Sequence, residues 1–281
     1  DEEGDEEGAE EGGCGDKLTP AEARATEGER KLQRMRAAFG RDALDGSGEG
    51  GVPGFLRPGG LARIVSHLRD ACGMRGADAV FCDIGCGQGR PLLAVMEAAP
   101  CLGGVVGFDI DRNVLRVADV ALNKFQSLVW TGERYVQRGG NGERGGDTSP
   151  PVHLMHADLE QLPNLRRATH AYCFCFGMPP TVLKHLFRVC AHSPGLRFLV
   201  LVYKRAAGDH AWDVVGRLED AGVDCHHFER ADGKSELQMP GGTVPRGCCV
   251  PMSERAREVL RVAAAGEVAC DGAACADLEL P

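Results

Sequence analysis

VFCDIGCGQGRPLLAV, Val80 to Val95, is the stretch from which the class of fold is read. An apolar run ends on Asp83, glycines follow at Gly85, Gly87 and Gly89, and an apolar helical pattern starts at Pro91-Leu92-Leu93. Glycine accepts positive φ and has no Cβ to hold a ligand off the backbone, so a strand-glycine hairpin-helix unit suits close approach. The dinucleotide fingerprint GxGxxG needs its third glycine where the helix meets the strand. Arg90 stands there instead, and the cadence is D-x-G-x-G-x-G. An acid two residues before the first glycine repels phosphate and suits a ligand that carries an ammonium group. A tight structural turn with no ligand is the alternative.

The next unit, GGVVGFDIDRNVLRVADVAL from Gly103 to Leu122, repeats the plan, with a short apolar strand ending on Asp109 and then an amphipathic helix. Asp109 lies 26 residues after Asp83, near the offset at which a doubly wound fold sets a carboxylate on ribose hydroxyls. Asp111 beside Arg112 reads as the cap of the next helix. A third strand, Val152 to His156, runs into Asp158, placed to accept from an adenine amino group. Asp109 and Asp158 as plain helix caps is the other reading. Acids ending successive strands mark the edge where open α/β sheets bind ligands. Asp83, Gly85, Gly87, Gly89, Asp109 and Asp158 are therefore the expected cradle of S-adenosyl-L-methionine (SAM).

With 281 residues and 43% hydrophobic content, the chain can bury one full α/β core plus extensions. The expected fold class is α/β, a doubly wound seven-stranded Rossmann-like sheet. Leu61 to Cys72 reads as a lead-in helix, Leu196 to Tyr203 as a buried strand, and Ala211 to Gly222 as a helix. Strands around Cys225 to Glu229 and Cys248 to Val250 should complete the sheet by antiparallel pairing, and Ser253 to Ala265 should form a terminal helix. Gly46 to Gly60 reads as a hinge, and Thr131 to Pro151, rich in Gly and Arg, as a mobile surface excursion. The expected divisions are 1–48, an acidic and largely disordered tail with one short helix in Ala21 to Phe39; 49–250, the ligand-binding domain; and 251–281, a helix and tail. The start on Asp1 rather than Met reads as that of a fragment or processed product. No apolar run approaches a membrane span, so a soluble chain with no membrane partner is expected.

The net charge of −9 is unevenly spread: residues 1–30 hold 12 acids and 3 bases, and the remainder holds 29 of each. The acidic start is too polar to bury and reads as a solubilising tail, or as a lure for a basic partner. A neutral remainder gives no concentrated basic face, so strong independent nucleic-acid binding is not expected. The 13 cysteines are odd in number and scattered through core elements, as at Cys82, Cys173 and Cys190. That favours reduced thiols in an intracellular protein, most of them core filler. With no CxxC pair and no second ligand pair near His153/His156, no metal is expected.

The fourth strand opens THAYCFCFGMPPTVLKHLFRV, Thr169 to Val189. Methyl transfer needs alignment and water exclusion above all, and Phe174 and Phe176, before the turn at Gly177, stand where an apolar channel wall would serve. Ordinary strand packing of the two phenylalanines is the alternative. The order DIGCGQG, GFDID, HADLEQLP, FCFGMPPTVLKHLFRV and a strand ending Tyr203-Lys204-Arg205 is similar to the catalytic domain of the Dot-one (disruptor of telomeric silencing) family, over residues 50 to 205 with a weaker echo to about 250. Those are non-SET histone H3 lysine methyltransferases of the class I fold. The resemblance implies a SAM-dependent histone-lysine N-methyltransferase, a chromatin regulator with the nucleosome as partner and the nucleus as location, with Phe176 and Gly177 bordering the lysine channel. In two places the chain departs from it. Tyr172-Cys173 stands where the family has an asparagine pair, and Gly48-Glu49-Gly50 where its substrate loop has Tyr-Gly-Glu. A methyltransferase of another substrate and a silent SAM-binding module are the alternatives.

Overall fold

Short β-branched and aromatic runs form the sheet. In a computed structural model, residues 56–126, 128–130, 135–137, 149–176, 178–204, 206, 208–239 and 244–265 are described. The first helix, α1 (Pro58–Asp70), starts earlier than the sequence pattern indicates, because Pro58 at its first turn has the φ a helix needs. The expected hinge from Gly46 to Gly60 is thereby corrected at its end, where Pro58, Gly59 and Gly60 are helical. After α1 come β1 (Val80–Ile84), α2 (Arg90–Ala98), β2 (Gly104–Asp109), α3 (Arg112–Gln126), β3 (Leu128–Trp130), β4 (Tyr135–Gln137) and β5 (Val152–His156). A 3-10 turn at Leu159–Gln161 precedes β6 (His170–Phe174), α4 (Pro180–Ala191), β7 (Phe198–Tyr203), α5 (His210–Asp220), β8 (His226–His227), β9 (Arg246–Pro251) and α6 (Glu254–Ala264).

The main sheet has seven strands in the order β5-β2-β1-β6-β7-β9-β8. β5, β2, β1, β6 and β7 are parallel, whereas β9 runs antiparallel to β7 and β8 antiparallel to β9. This is the doubly wound Rossmann-like sheet expected from the sequence. The order departs in opposite directions from β1, and the carboxyl edge at such a switch point opens into the crevice where α/β sheets take ligands.

Both faces of the sheet are covered. α1, α2 and α3 bury Ile64, Leu68, Leu92, Leu93 and Phe125 against Phe81, Val105 and Val200. On the other face α4, α5 and α6 bury Leu186, Phe187, Val214 and Leu260 against Ile84, Leu199 and Leu201. Entry into β2 is tight: a Cβ on Gly103 would stand 1.9 Å from the Ala77 carbonyl oxygen. The expected excursion from Thr131 to Pro151 is corrected in part. Tyr135–Gln137 pairs antiparallel with Leu128–Trp130, making a small second sheet. The acidic tail, the helix expected in Ala21 to Phe39, Gly48-Glu49-Gly50 and the stretch from Ala269 to Pro281 lie outside the described residues. No described helix is long and apolar enough to cross a membrane.

Candidate functional site

The glycine loop after β1 takes the conformation its residues permit. Gly85, Gly87 and Gly89 have φ of +71°, +52° and +78°, a region that costs residues with a Cβ. The backbone N–H groups of Gly85 and Cys86 both donate to the Phe108 carbonyl in β2, at 3.0 and 2.9 Å, and Gly89 N donates to Cys86 O at 2.8 Å. Gly89 caps α2, and a Cβ there would press on Ala118 of α3 at 3.3 Å. A Cβ on Gly85 would meet the Met178 methyl at 3.4 Å, so Met178 leans over the loop from the turn after β6. No spacing rule in the sequence singles out Met178.

Three carboxylates stand at this edge, each with a different role. Asp83 is 1% exposed and its Oδ2 has no hydrogen-bond partner among the described residues. Burial, and then the negative charge of Asp109, push its carboxyl well above the usual carboxylate range. Asp109 accepts from Gly87 N through Oδ2 and from Asp111 N through Oδ1, both at 2.9 Å, and so ties the loop to the end of β2. This clamp joins residues 22 apart, and no local pattern in the sequence announces it. Asp111 Oδ1 accepts from Asn113 N at 2.8 Å, as expected of a helix cap. Asp158 Oδ1 accepts from Glu160 N at 2.9 Å and caps the 3-10 turn, so its capping role is realised.

Beside them, Arg112 Nε donates to His156 Nδ1 at 3.2 Å, and His156 Nε2 donates to the Ile110 carbonyl at 2.9 Å. This bridge joins the ends of β2 and β5 across 44 residues, a separation no local pattern reveals. Arg90, at the position where a dinucleotide loop would have glycine, is lowered by burial to about 10 and remains a cation at neutral pH.

At the end of β6 the side chains alternate. Cys173 and Cys175 are buried on the α4 face, whereas Phe174 and Phe176 are half-buried on the α1–α3 face, their ring centroids 5.7 Å apart and tilted by 31°. The pair thus packs as strand residues do, and it is also partly exposed. Tyr172 is buried at 3% exposure, and burial raises its phenol far above its ordinary value. Gly177 lies outside the described residues.

A buried carboxylate oxygen without a donor, beside a loop of positive-φ glycines and a second acid, favours a cationic group and disfavours phosphate. No family model and no curated protein matches the chain. Among solved structures, the chain is similar to the methyltransferase domain of bacterial CtHen1, with 13% identity over 69% of this chain and 96% of that one and a TM-score of 0.45. It is also similar to a SAM-dependent methyltransferase from Aquifex aeolicus, with 17% identity over 69% and 97% and a TM-score of 0.40. An rRNA methylase from Streptococcus thermophilus matches with 11% identity over 68% and 93% and a TM-score of 0.43. The strand order, with its antiparallel β9 and β8, is what defines the class: a doubly wound α/β protein with Asp83, Asp109 and the glycine loop at the carboxyl edge of its sheet.

Proposed function

We propose that this chain is a class I SAM-dependent methyltransferase. The observation that carries the reading is Asp83, a buried carboxylate beside the glycine loop whose Oδ2 has no donor among the described residues. An unpaired buried polar atom is costly, and the α-ammonium of SAM would supply the missing donor. Gly85, Gly87 and Gly89 keep side chains out of the ligand's way. Asp109 fixes the loop and keeps lone pairs for the ribose hydroxyls, since each of its oxygens accepts one backbone N–H. Asp158 is the proposed acceptor for the adenine amino group.

When bound, SAM supplies an electrophilic methyl group on a sulfonium. The chain's part is to align the acceptor and exclude water, which Met178 over Gly85 and the half-buried Phe174 and Phe176 are placed to do. The direct in-line displacement needs no covalent enzyme intermediate.

The acceptor is read broadly. A histone H3 lysine, the nucleosome as partner and a nuclear location rest on the motif order shared with the Dot-one family. Against that narrower acceptor stands the pair Tyr172-Cys173, buried at 3% and 0% where that family presents asparagines. Polar groups for an incoming amine are therefore missing from this end of β6, which favours another protein or a small molecule as acceptor.

The test is calorimetry with SAM and NAD, followed by transfer from methyl-labelled SAM to nucleosomes, free histones and small-molecule extracts. SAM binding without NAD binding is expected, with label outside histone H3. Label on an H3 lysine would restore the narrower acceptor, and binding without any transfer would mark a silent module. Absence of SAM binding would end the proposal.

A further inference from the structure

His67, Cys72 and Cys249 take no part in the proposed methyl transfer, yet they converge on one point. His67 lies in the last turn of α1, Cys72 just beyond its end, and Cys249 in β9, 177 residues from Cys72. One ligand atom from each lies within 4.8 Å of the other two. The sulfurs of Cys72 and Cys249 are 3.7 Å apart. We infer that these side chains form a zinc site that clasps α1 to the antiparallel edge of the sheet.

The spacing of the two sulfurs is that of zinc ligands. Tetrahedral zinc with Zn–S bonds of about 2.3 Å sets its sulfurs about 3.8 Å apart. A disulfide needs about 2.05 Å and a definite torsion, so Cys72 and Cys249 would have to move to form one and need not move to hold an ion. Two thiolates and an imidazole are a soft set that selects zinc over magnesium or calcium. The pair of thiolates also neutralises the dication, which allows burial; Cys72 is 9% and Cys249 2% exposed. His67 is only half-buried, so a water could reach the ion from its side as the fourth ligand of a tetrahedron.

Neighbouring groups hold the ligands in place, as the surroundings of metal sites do. The His67 ring stacks on His226 at 3.8 Å and 11°, and meets Phe228 edge-on at 5.4 Å and 85°, which fixes its plane. His170 Nε2 donates to the Cys72 carbonyl at 3.0 Å, and its Nδ1 lies 2.9 Å from the Thr169 hydroxyl, anchoring the Cys72 backbone to β6. This site runs against the sequence expectation of no metal. Its ligands come from separate elements, so no short cysteine spacing announces it.

The test uses the full chain under reducing conditions, stripped with chelator and titrated with Co²⁺ and Zn²⁺. One equivalent of Co²⁺ should produce thiolate charge-transfer bands and the visible bands of a tetrahedral ion, and Zn²⁺ should displace them. Changes around a metal site alone cost about 10- to 100-fold in affinity, so Cys72→Ser, Cys249→Ser and His67→Ala should each weaken binding by at least about 100-fold. Cys101→Ser, at an exposed position elsewhere, should leave it unchanged. X-ray absorption on the zinc-loaded wild-type chain should show two sulfurs in the first shell, and this decides the matter even where a variant fails to fold. The inference is overturned by a first shell without sulfur, by absence of the charge-transfer bands, or by undiminished cobalt binding in the Cys72→Ser/Cys249→Ser double variant.

Discussion

Asp83 and Arg257 are both ionisable and both buried, at 1% and 7% exposure, but the fold treats them in opposite ways. Arg257 in α6 is surrounded by acceptors. Its Nη1 donates to the carbonyls of Ala191 and Ser193 at 3.2 and 2.8 Å, and its Nη2 to that of Leu196 at 2.7 Å. The side chain thereby closes the carboxyl end of α4, where helix carbonyls lose their intrahelical donors. Asp83, at the carboxyl edge of the sheet, keeps an oxygen with no donor among the described residues. A charge buried for stability is saturated by its own chain, whereas one left short of a partner at a strand end is a feature that stability alone would remove. Such breaches of polar satisfaction concentrate at functional sites.

The contrast is broken most severely at Arg257. Arg257→Ala removes three hydrogen bonds, although Ser193 O keeps the Leu196 N–H at 3.1 Å, and should cost about 3–5 kcal/mol in urea unfolding. SAM affinity of the folded fraction should stay at the wild-type value. A loss below 1 kcal/mol would show that the buried guanidinium is not a structural tie.

Asp83→Asn should act in the reverse sense. Loss of a charge-assisted hydrogen bond is worth about 1.5–3 kcal/mol, so SAM should bind roughly 10- to 100-fold more weakly, with unfolding stability equal to or above wild type. The pH dependence has a definite sign. The Asp83 carboxyl is raised in the folded protein, so the stability linked to it is present below the ordinary carboxylate range and is lost as pH rises through the raised value. Over that same interval SAM affinity should increase, because the ammonium pairs with the ionised form. Calorimetry of wild type and Asp83→Asn across pH checks this, and a wild-type affinity that does not vary more with pH than the variant's would separate Asp83 from the ammonium.

Much of this was legible in the chain because it is local. The strand ends at Asp109 and His156, that of β1 at Ile84, one residue beyond the expected Asp83, the positive φ of Gly85, Gly87 and Gly89, and the cap at Asp111 all follow from residues within a few positions of one another. What escaped is set by packing between distant elements. Asp109 as the clamp of Gly87, Met178 over Gly85, the Arg112–His156 bridge and the Arg257 tie need the sheet assembled before their partners meet. Tyr135–Gln137 was hidden by the glycine- and arginine-rich stretch in which it sits. The start of α1 lies three residues before the apolar pattern because Pro58-Gly59-Gly60, a breaker by composition, carries proline at the first helical turn, where it fits.

Asp109 lies between the two extremes of Asp83 and Arg257. Both of its oxygens accept a backbone N–H, so Asp109→Ala should loosen the loop and lose the ribose contact together. About 1–3 kcal/mol of SAM binding should disappear, with a stability loss of about 1 kcal/mol. Unchanged affinity in calorimetry would remove Asp109 from the site.

The smallest effect is expected at Asp158, where cap and ligand roles can be separated. Asparagine caps as well as aspartate does, so Asp158→Asn should preserve the bond from Glu160 N and leave stability within a few tenths of a kcal/mol. It replaces one carboxylate oxygen with an amide donor, which an adenine amino group would meet as a like partner. SAM affinity should then fall by about 0.5–1.5 kcal/mol, a factor of roughly 2 to 13. Asp158→Ala removes both roles and should add a stability loss of about 1 kcal/mol. Were Asp158→Asn to bind SAM as wild type does, while Asp158→Ala lost only stability, Asp158 would belong with Arg257 among the residues that serve the fold alone.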